Sequence, residues 1–306
     1  MIMKKFLTIL ALALASTAVH ARDVITIVYA WGPGDSVANY SRTLVAEANK
    51  IQNKYTFIFD TKPGAGGAIA SNHVLNTPNT ILHHSTAFFV RPNFYPNESY
   101  DLSKFQTIMT KCMAPMAVTS SKYKSWKEVP TDKPVTVGVS GLGVTTHLAA
   151  VQLQKKYPNL NIIPFRATSE SLVSMVGGQT DFHIGFISEA EQWSKDNNKS
   201  DRKVNVLGIT GNKKVQGYAT LGGEGLGPVF NQMDVGFHLL MPANTSDARV
   251  TEFREILLKA QNTPAVKAAY NVDYCQTQVT AAPELGKWYQ FHTNHWKKLS
   301  EGIKIQ

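Results

Sequence analysis

The chain has 306 residues, of which 43% are hydrophobic, 17% charged and 10% aromatic. That length and balance exclude a disordered tail, a collagen-like fibre and a disulfide mini-protein, and they allow two domains with sizeable cores. The net charge is +9, but the basic residues are dispersed along the chain, which disfavours nucleic acid as a partner.

Residues 1–21 open with Lys4 and Lys5, continue through an apolar run from Phe6 to Ala15, and end in the small-residue pattern Val19-His20-Ala21. A run of about ten apolar residues is too short to span a bilayer, which needs roughly 20. The pattern predicts a secretory signal cleaved after Ala21 and an exported, periplasmic product. The two cysteines, Cys112 and Cys275, are too few for a zinc cage of their own. An oxidising compartment permits them to pair, and their spacing in sequence does not decide it.

From there strand-like and helix-like segments alternate. Residues 24–30 are rich in β-branched side chains and end at Gly32-Pro33-Gly34; Tyr40, Leu44, Val45 and Ala48 follow at helical spacing. Residues 55–59 read as a strand, the turn 63–67 leads to a short helix through Leu75, and residues 81–84 form another strand. Residues 135–139 predict a strand that ends at Ser140-Gly141-Leu142-Gly143 and passes into a helix carrying Leu148, Val151 and Leu153. Further strands are expected at 162–165, 182–186 and 204–209, and a last helix at 283–299 with Leu285, Trp288, Tyr289 and Trp296 on its apolar side. Strand, glycine turn and helix in repetition imply an α/β protein with mostly parallel sheets. Two irregular stretches, 120–134 and 222–233, fit a second lobe inserted into a first. The expected division is lobe 1 at 22–123, lobe 2 at 124–235 and a return to lobe 1 at 236–306.

The turn from Ser140 to His147 carries the most chemistry. Its glycines permit a sharp turn, and the free N–H groups of the following helix make a ready anion site that needs no Lys or Arg. An ordinary N-cap by Thr145 or Thr146 explains the same residues. The turn Trp31 to Ser36 has the same ambiguity, and Asp35 there suits capping or solvent better than an anion. Catalytic signatures are missing: Leu142 stands where a nucleophile elbow needs Gly, no Walker lysine follows a glycine loop, and no HExxH occurs. The pairs His83-His84 and His292/His295 have no carboxylate or cysteine set around them in sequence, so no metal and no cofactor is expected.

Taken together, these segments resemble the tripartite tricarboxylate transporter substrate-binding proteins, the Bug or TctC family of periplasmic receptors. Residues 61–70, TKPGAGGAIA, are similar to the family's NKPGAGG-x-IA segment, and 99–105 to its YD-x-x-x-DF stretch, with Lys104 in place of the acid. Gly141-x-Gly143 with His147-Leu148 resembles G-x-G-x-x-x-HL, and residues 163–166 with 176–181 resemble VPYKG and GGQVD. The first turn departs: Trp31 to Asp35 replaces a Phe-Pro-x-Gly-Gly type, and Ala38 replaces an Asp.

The resemblance implies a type II periplasmic binding fold, two α/β lobes closing on a ligand. It also implies a small carboxylate, mono- or dicarboxylic and open to an aromatic body, and delivery to the membrane permease subunits of a tripartite transporter by a monomeric receptor that is not an enzyme. On this chain the second-lobe cradle would be Ser140, Gly141, Gly143, Val144, Thr145 and Thr146. The first-lobe wall would be Trp31, Gly32, Pro33, Gly34 and Ser36, with Ser85 and Thr86. Phe165, Arg166, Asp181, Gly185 and Phe186 would flank the pocket. The competing readings are an exported hydrolase or lyase using Ser140 or His147, and a sensor feeding a signalling partner.

Overall fold

The computed structural model describes residues 22–195, 203–269, 282–303 and 305; the expected signal segment and Cys275 lie outside the described residues. β1 (Asp23–Tyr29) runs into α1 (Ser36–Ile51), then β2 (Tyr55–Thr61), α2 (Ala68–Asn76), β3 (Thr80–Ser85), α3 (Ala87–Phe94) and β4 (Phe105–Ala114). The middle of the chain supplies β5 (Met116–Ser120), β6 (Val135–Val139), α4 (Thr145–Gln154), β7 (Leu160–Pro164), α5 (Thr168–Val176), β8 (Phe182–Phe186), α6 (Ile187–Lys195) and β9 (Asn205–Ile209). β10 (Val235–Pro242), α7 (Asp247–Gln261), α8 (Pro264–Ala268) and α9 (Ala282–Ser300) follow.

These strands form two five-stranded sheets in the orders β2-β1-β3-β10-β4 and β7-β6-β8-β5-β9. Each sheet has a parallel trio, β2-β1-β3 in one and β7-β6-β8 in the other, joined to an antiparallel fourth strand. In each, that fourth strand is the one that has just crossed from the other lobe: β10 pairs with β3 and β4, β5 with β8 and β9. The sheets are therefore mixed, because a strand arriving from the far lobe enters in the opposite direction.

The first crossing falls at Pro115, between β4 and β5, earlier than the stretch 120–134 that sequence singled out. Proline lacks the N–H that would carry a ladder onward, so one strand run breaks into two. The return crossing lies within 210–234. Residues 116–120, expected in lobe 1, thus pair in the second sheet.

Burial explains why these segments hold. Tyr40, Leu44, Val45 and Ala48 of α1 are buried against Ile25, Ile27, Phe57 and Phe253, the stripe their spacing predicts. A fully buried Phe such as Phe253 contributes about 2–3 kcal/mol relative to exposure. Leu172, Met175, Ala190 and Val204 form a satellite core in the second lobe, while a larger cluster runs through both lobes, joining Val28 and Leu82 to Val137 and Leu148. α9 buries Leu285, Trp288 and Trp296 and leaves Phe291 exposed.

Candidate functional site

Each strand of the two parallel trios leads into a helix, and the starts of α1 after β1, α3 after β3, α4 after β6 and α5 after β7 border the gap between the sheets. Ligands of open α/β sheets bind beyond these strand ends. A cavity lies there with about 400 Å³ of empty space, its open mouth included. Tyr29, Trp31, Asp35, Ser85 and Ala87 line it from the first lobe, and Ser140, Thr145, Thr146, Ala167, Thr168 and Phe186 from the second. Met116, Val235 and Phe237, at the starts of the crossing strands, complete the wall.

The helix ends differ in what satisfies them. α1 is capped by Asp35, whose carboxylate accepts from the Ala38 N–H at 2.7 Å, and at α3 the Ser85 hydroxyl accepts from the Ala87 N–H at 3.3 Å. α4 and α5 begin after Val144 and Ala167, neither of which caps its helix with a side chain. The first N–H groups of a helix have no partner inside it, so α4 and α5 present donors and the positive ends of their dipoles to the cavity. The Trp31 indole N–H, on the same cavity, is buried and has no acceptor.

The expected residues fall into three groups. Trp31, Ser85, Ser140, Thr145, Thr146 and Phe186 line the cavity. Gly141, Gly143 and Val144 shape the turn behind it. Gly143 sits at φ +70°, and its N–H is taken by the His147 Nδ1 at 3.2 Å rather than offered to the cavity. A Cβ on Gly143 would come 2.6 Å from the Tyr95 ring of the first lobe, so this turn is where the lobes touch. Thr86 is buried and exchanges hydrogen bonds with the Gly236 backbone. Gly185 is a buried strand residue opposite Ala117.

The rest stand apart from the cavity. Pro33 and Gly34 are exposed, Gly32 is half-buried beside them, Ser36 opens α1, and Phe165 is half-buried behind β6. Two expectations are corrected. Arg166 is exposed, with its N–H donated to Glu170 at 3.1 Å. Asp181 lies at the opposite end of the second sheet, where it accepts from the Thr136 N–H at 2.9 Å and pairs with Lys122 at 2.6 Å. It precedes β8, and the cavity lies beyond the far end of that strand. Sequence reasoning missed Tyr29, Ala87, Met116, Ala167, Thr168, Val235 and Phe237 as wall residues. Of these only Thr168, a hydroxyl opening a helix, repeats the signal that marked Thr145.

Catalytic geometry does not assemble. The Ser140 hydroxyl lies 2.9 Å from that of Thr146, while burial pushes His147 down to about 4, too low for an effective base at neutral pH. Among the described residues no group of three His, Cys, Asp or Glu is placed to hold a metal. Burial holds His83, His84 and His292 below the usual histidine range.

A profile described as the tripartite tricarboxylate transporter family receptor matches residues 41–305. The chain belongs to this family. The fold of the receptor is that of solved periplasmic binding proteins. BugD superposes with a TM-score of 0.81 at 20% identity, covering 94% of this chain and 100% of that one. Rpa4515 of R. palustris, solved with adipate, gives 0.78 at 16% over 92% and 97%. MatC of Rhodopseudomonas palustris, solved with malate, gives 0.75 at 18% over 92% and 100%. No curated protein sequence matches the chain. Members of the family are periplasmic receptors that work with tripartite transporters, and among the described residues no helix is long and apolar enough to cross a membrane.

Proposed function

We propose that this receptor closes its two lobes on a small organic acid, holds a carboxylate at the uncapped start of α4, and hands the acid to the permease of a tripartite transporter. The observation that carries the reading is the pair of uncapped helix ends on one cavity, with the orphaned Trp31 N–H beside them. Buried donors without acceptors are costly, and a carboxylate supplies acceptors to several at once. The solved relatives with adipate and malate support a carboxylate. In this reading the hinges are Pro115 and the segment 210–234, residues 1–21 direct export with cleavage after Ala21, the receptor acts as a monomer, and no bond of the ligand is made or broken.

A thermal-shift screen over organic acids, followed by calorimetry of the best acid against its amide, tests it. The acid is expected to bind at least about tenfold tighter, since a charged hydrogen bond contributes about 1.5–3 kcal/mol. An amide that binds as tightly as its acid removes the carboxylate from the site.

A further inference from the structure

A second contact crosses between the lobes beside the one at Gly143, and it carries a charge. Arg91, on α3 of the first lobe, is 6% exposed. Its Nη1 donates at 3.3 Å to the Leu142 carbonyl, in the second-lobe turn that leads to α4. The N–H of the same peptide group, that of Gly143, is taken by the His147 Nδ1 at 3.2 Å. That peptide is thus held at both ends, immediately ahead of Val144, from which α4 starts. The guanidinium carbon lies 4.2 Å from the centre of the Tyr95 ring, the ring that meets Gly143. A Cβ on Gly66 would come 2.9 Å from the Arg91 Cδ and 3.2 Å from a Val144 methyl, so the arginine and the start of α4 crowd one point of the first lobe.

The charge is short of partners. Nε is buried and has no acceptor, and among the described residues no carboxylate forms an ion pair with Arg91. Glu98, the one acid whose charge is felt there among the described residues, is exposed. Burial lowers the pKa of the guanidinium, the response of a cation without a counter-charge. Arginine nonetheless keeps its proton in proteins, and an unpaired charge is costly to bury. Because Arg91 and Leu142 belong to different lobes, opening them returns the guanidinium to water. Closing therefore costs free energy in the empty receptor, and an anion at the start of α4 offsets that cost.

We infer that Arg91 is a positioning residue for ligand capture: on closure it fixes the turn before α4 and sets a positive charge behind the carboxylate site, so that the lobes close in preference on an anion. The inference rests on the carboxylate reading above and deepens it. Arg91 does not line the cavity, so it acts through the turn and through its field, which a water-poor closed seam screens weakly. Its hydrogen bond also takes up the negative end of the Leu142 peptide dipole at the edge of the anion site.

Calorimetry of the mature receptor with glutarate, valerate and benzoate at one pH and one salt concentration identifies the tightest of the three. That acid and its amide, the amide measured by competition where it is weak, are then compared in Arg91→Gln, Arg91→Met and Arg91→Lys, each checked by a melting curve. The glutamine and methionine variants are expected to cut the preference for acid over amide about fivefold or more, with the affinity for the amide unchanged or improved. Lysine, which keeps the charge, is expected to hold the preference within about threefold. A merely structural role weakens acid and amide together and leaves their ratio alone. An unchanged ratio in the folded glutamine and methionine variants overturns the inference and leaves the carboxylate reading standing, as does a lysine variant that loses as much preference as the glutamine one. An amide that binds the wild-type receptor as tightly as its acid, or no binding of any of the three acids at millimolar concentration, overturns both readings.

Discussion

The two lobes share one strand order, yet the helix starts they bring to the cavity differ. In the first lobe, Asp35 caps α1 and the Ser85 hydroxyl, at the end of β3, accepts from the first N–H of α3. In the second, α4 and α5 follow Val144 and Ala167 and are left open toward the cavity. A capped end has satisfied its own donors and gained about 1 kcal/mol of stability; an open end keeps its donors for something else. The turns differ likewise. Gly32 and Gly34 have negative φ and open space where a side chain would stand, whereas Gly141 and Gly143 have φ of +131° and +70°. At the cleft the first lobe satisfies the starts of α1 and α3 within its own fold, while the second leaves those of α4 and α5 open and meets the other lobe at Gly143.

The largest effect expected from an asymmetry between the lobes concerns acid. Burial depresses His83, His84, His238 and His292 in the first lobe and His147 and His183 in the second. His84 and His147 fall to about 4, and His183 and His292 to about 3. Each stays neutral when folded but takes a proton near pH 6.5 when unfolded, so its contribution is complete above that pH and drains away as pH falls toward the folded value. Glu189 at about 8, Asp234 at about 6 and the raised Asp35 act in the opposite sense, because the folded chain holds their protons more tightly. Six histidines outweigh three acids by about three protons, and stability should fall by up to about 4 kcal/mol per pH unit between about pH 6 and pH 5. Melting curves stepped from about pH 8 downward check this. A flat melting temperature would refute it, and hydrogen exchange at the low end should show the first lobe, with four of the six, opening before the second.

The next test sets one turn against the other. Gly143→Val forces a β-branched residue into the left-handed region and drives a methyl into Tyr95, so about 3 kcal/mol of stability should be lost. Because Gly143 bridges the lobes rather than touching the cavity, ligand affinity should fall through impaired closure. Gly34→Ala, with no atom within 4 Å of the new carbon, should shift stability by less than about 0.5 kcal/mol. Urea unfolding of the two variants distinguishes them, and similar losses in both would erase the contrast between the turns.

Much of this contrast is visible in the sequence. The run VTVGV breaking at Ser140-Gly141-Leu142-Gly143 marks β6 and the start of α4, because β-branched residues and a glycine pair specify a strand and its exit. The two threonines that follow mark the cavity wall. What stayed hidden is what the crossing strands do. Thr107, Thr110 and Lys111 are buried polar residues inside β4, so no clean alternation announces that strand. Met116, Val235 and Phe237 reach the cavity only because two strands change lobes, which no local pattern encodes. Asp181 misled for a related reason: adjacency to a strand does not say which end of the sheet a residue occupies. Asp35 caps its helix, one of the two roles open to it in sequence, but its burial and its electrostatic neighbours Glu189 and Lys111 depend on elements far apart in sequence.

The smallest and sharpest effect comes from closing an open end. Ala167 has the extended backbone of an N-cap, φ −152° and ψ 161°, but no side-chain acceptor. Ala167→Ser supplies one in the geometry serine favours, adding about 1 kcal/mol and raising the melting temperature by about 2 °C in a chain of this size. The same hydroxyl takes up a first-turn N–H of α5 and stands where Ala167 lines the cavity. A second-lobe helix would then resemble a first-lobe one, more stable and less available. If α5 serves the ligand, affinity for the best acid should fall about three- to tenfold, the loss of one hydrogen bond. Paired melting and calorimetry measurements separate the two effects. A raised melting temperature with unchanged affinity would remove α5 from the ligand site and leave the carboxylate to α4.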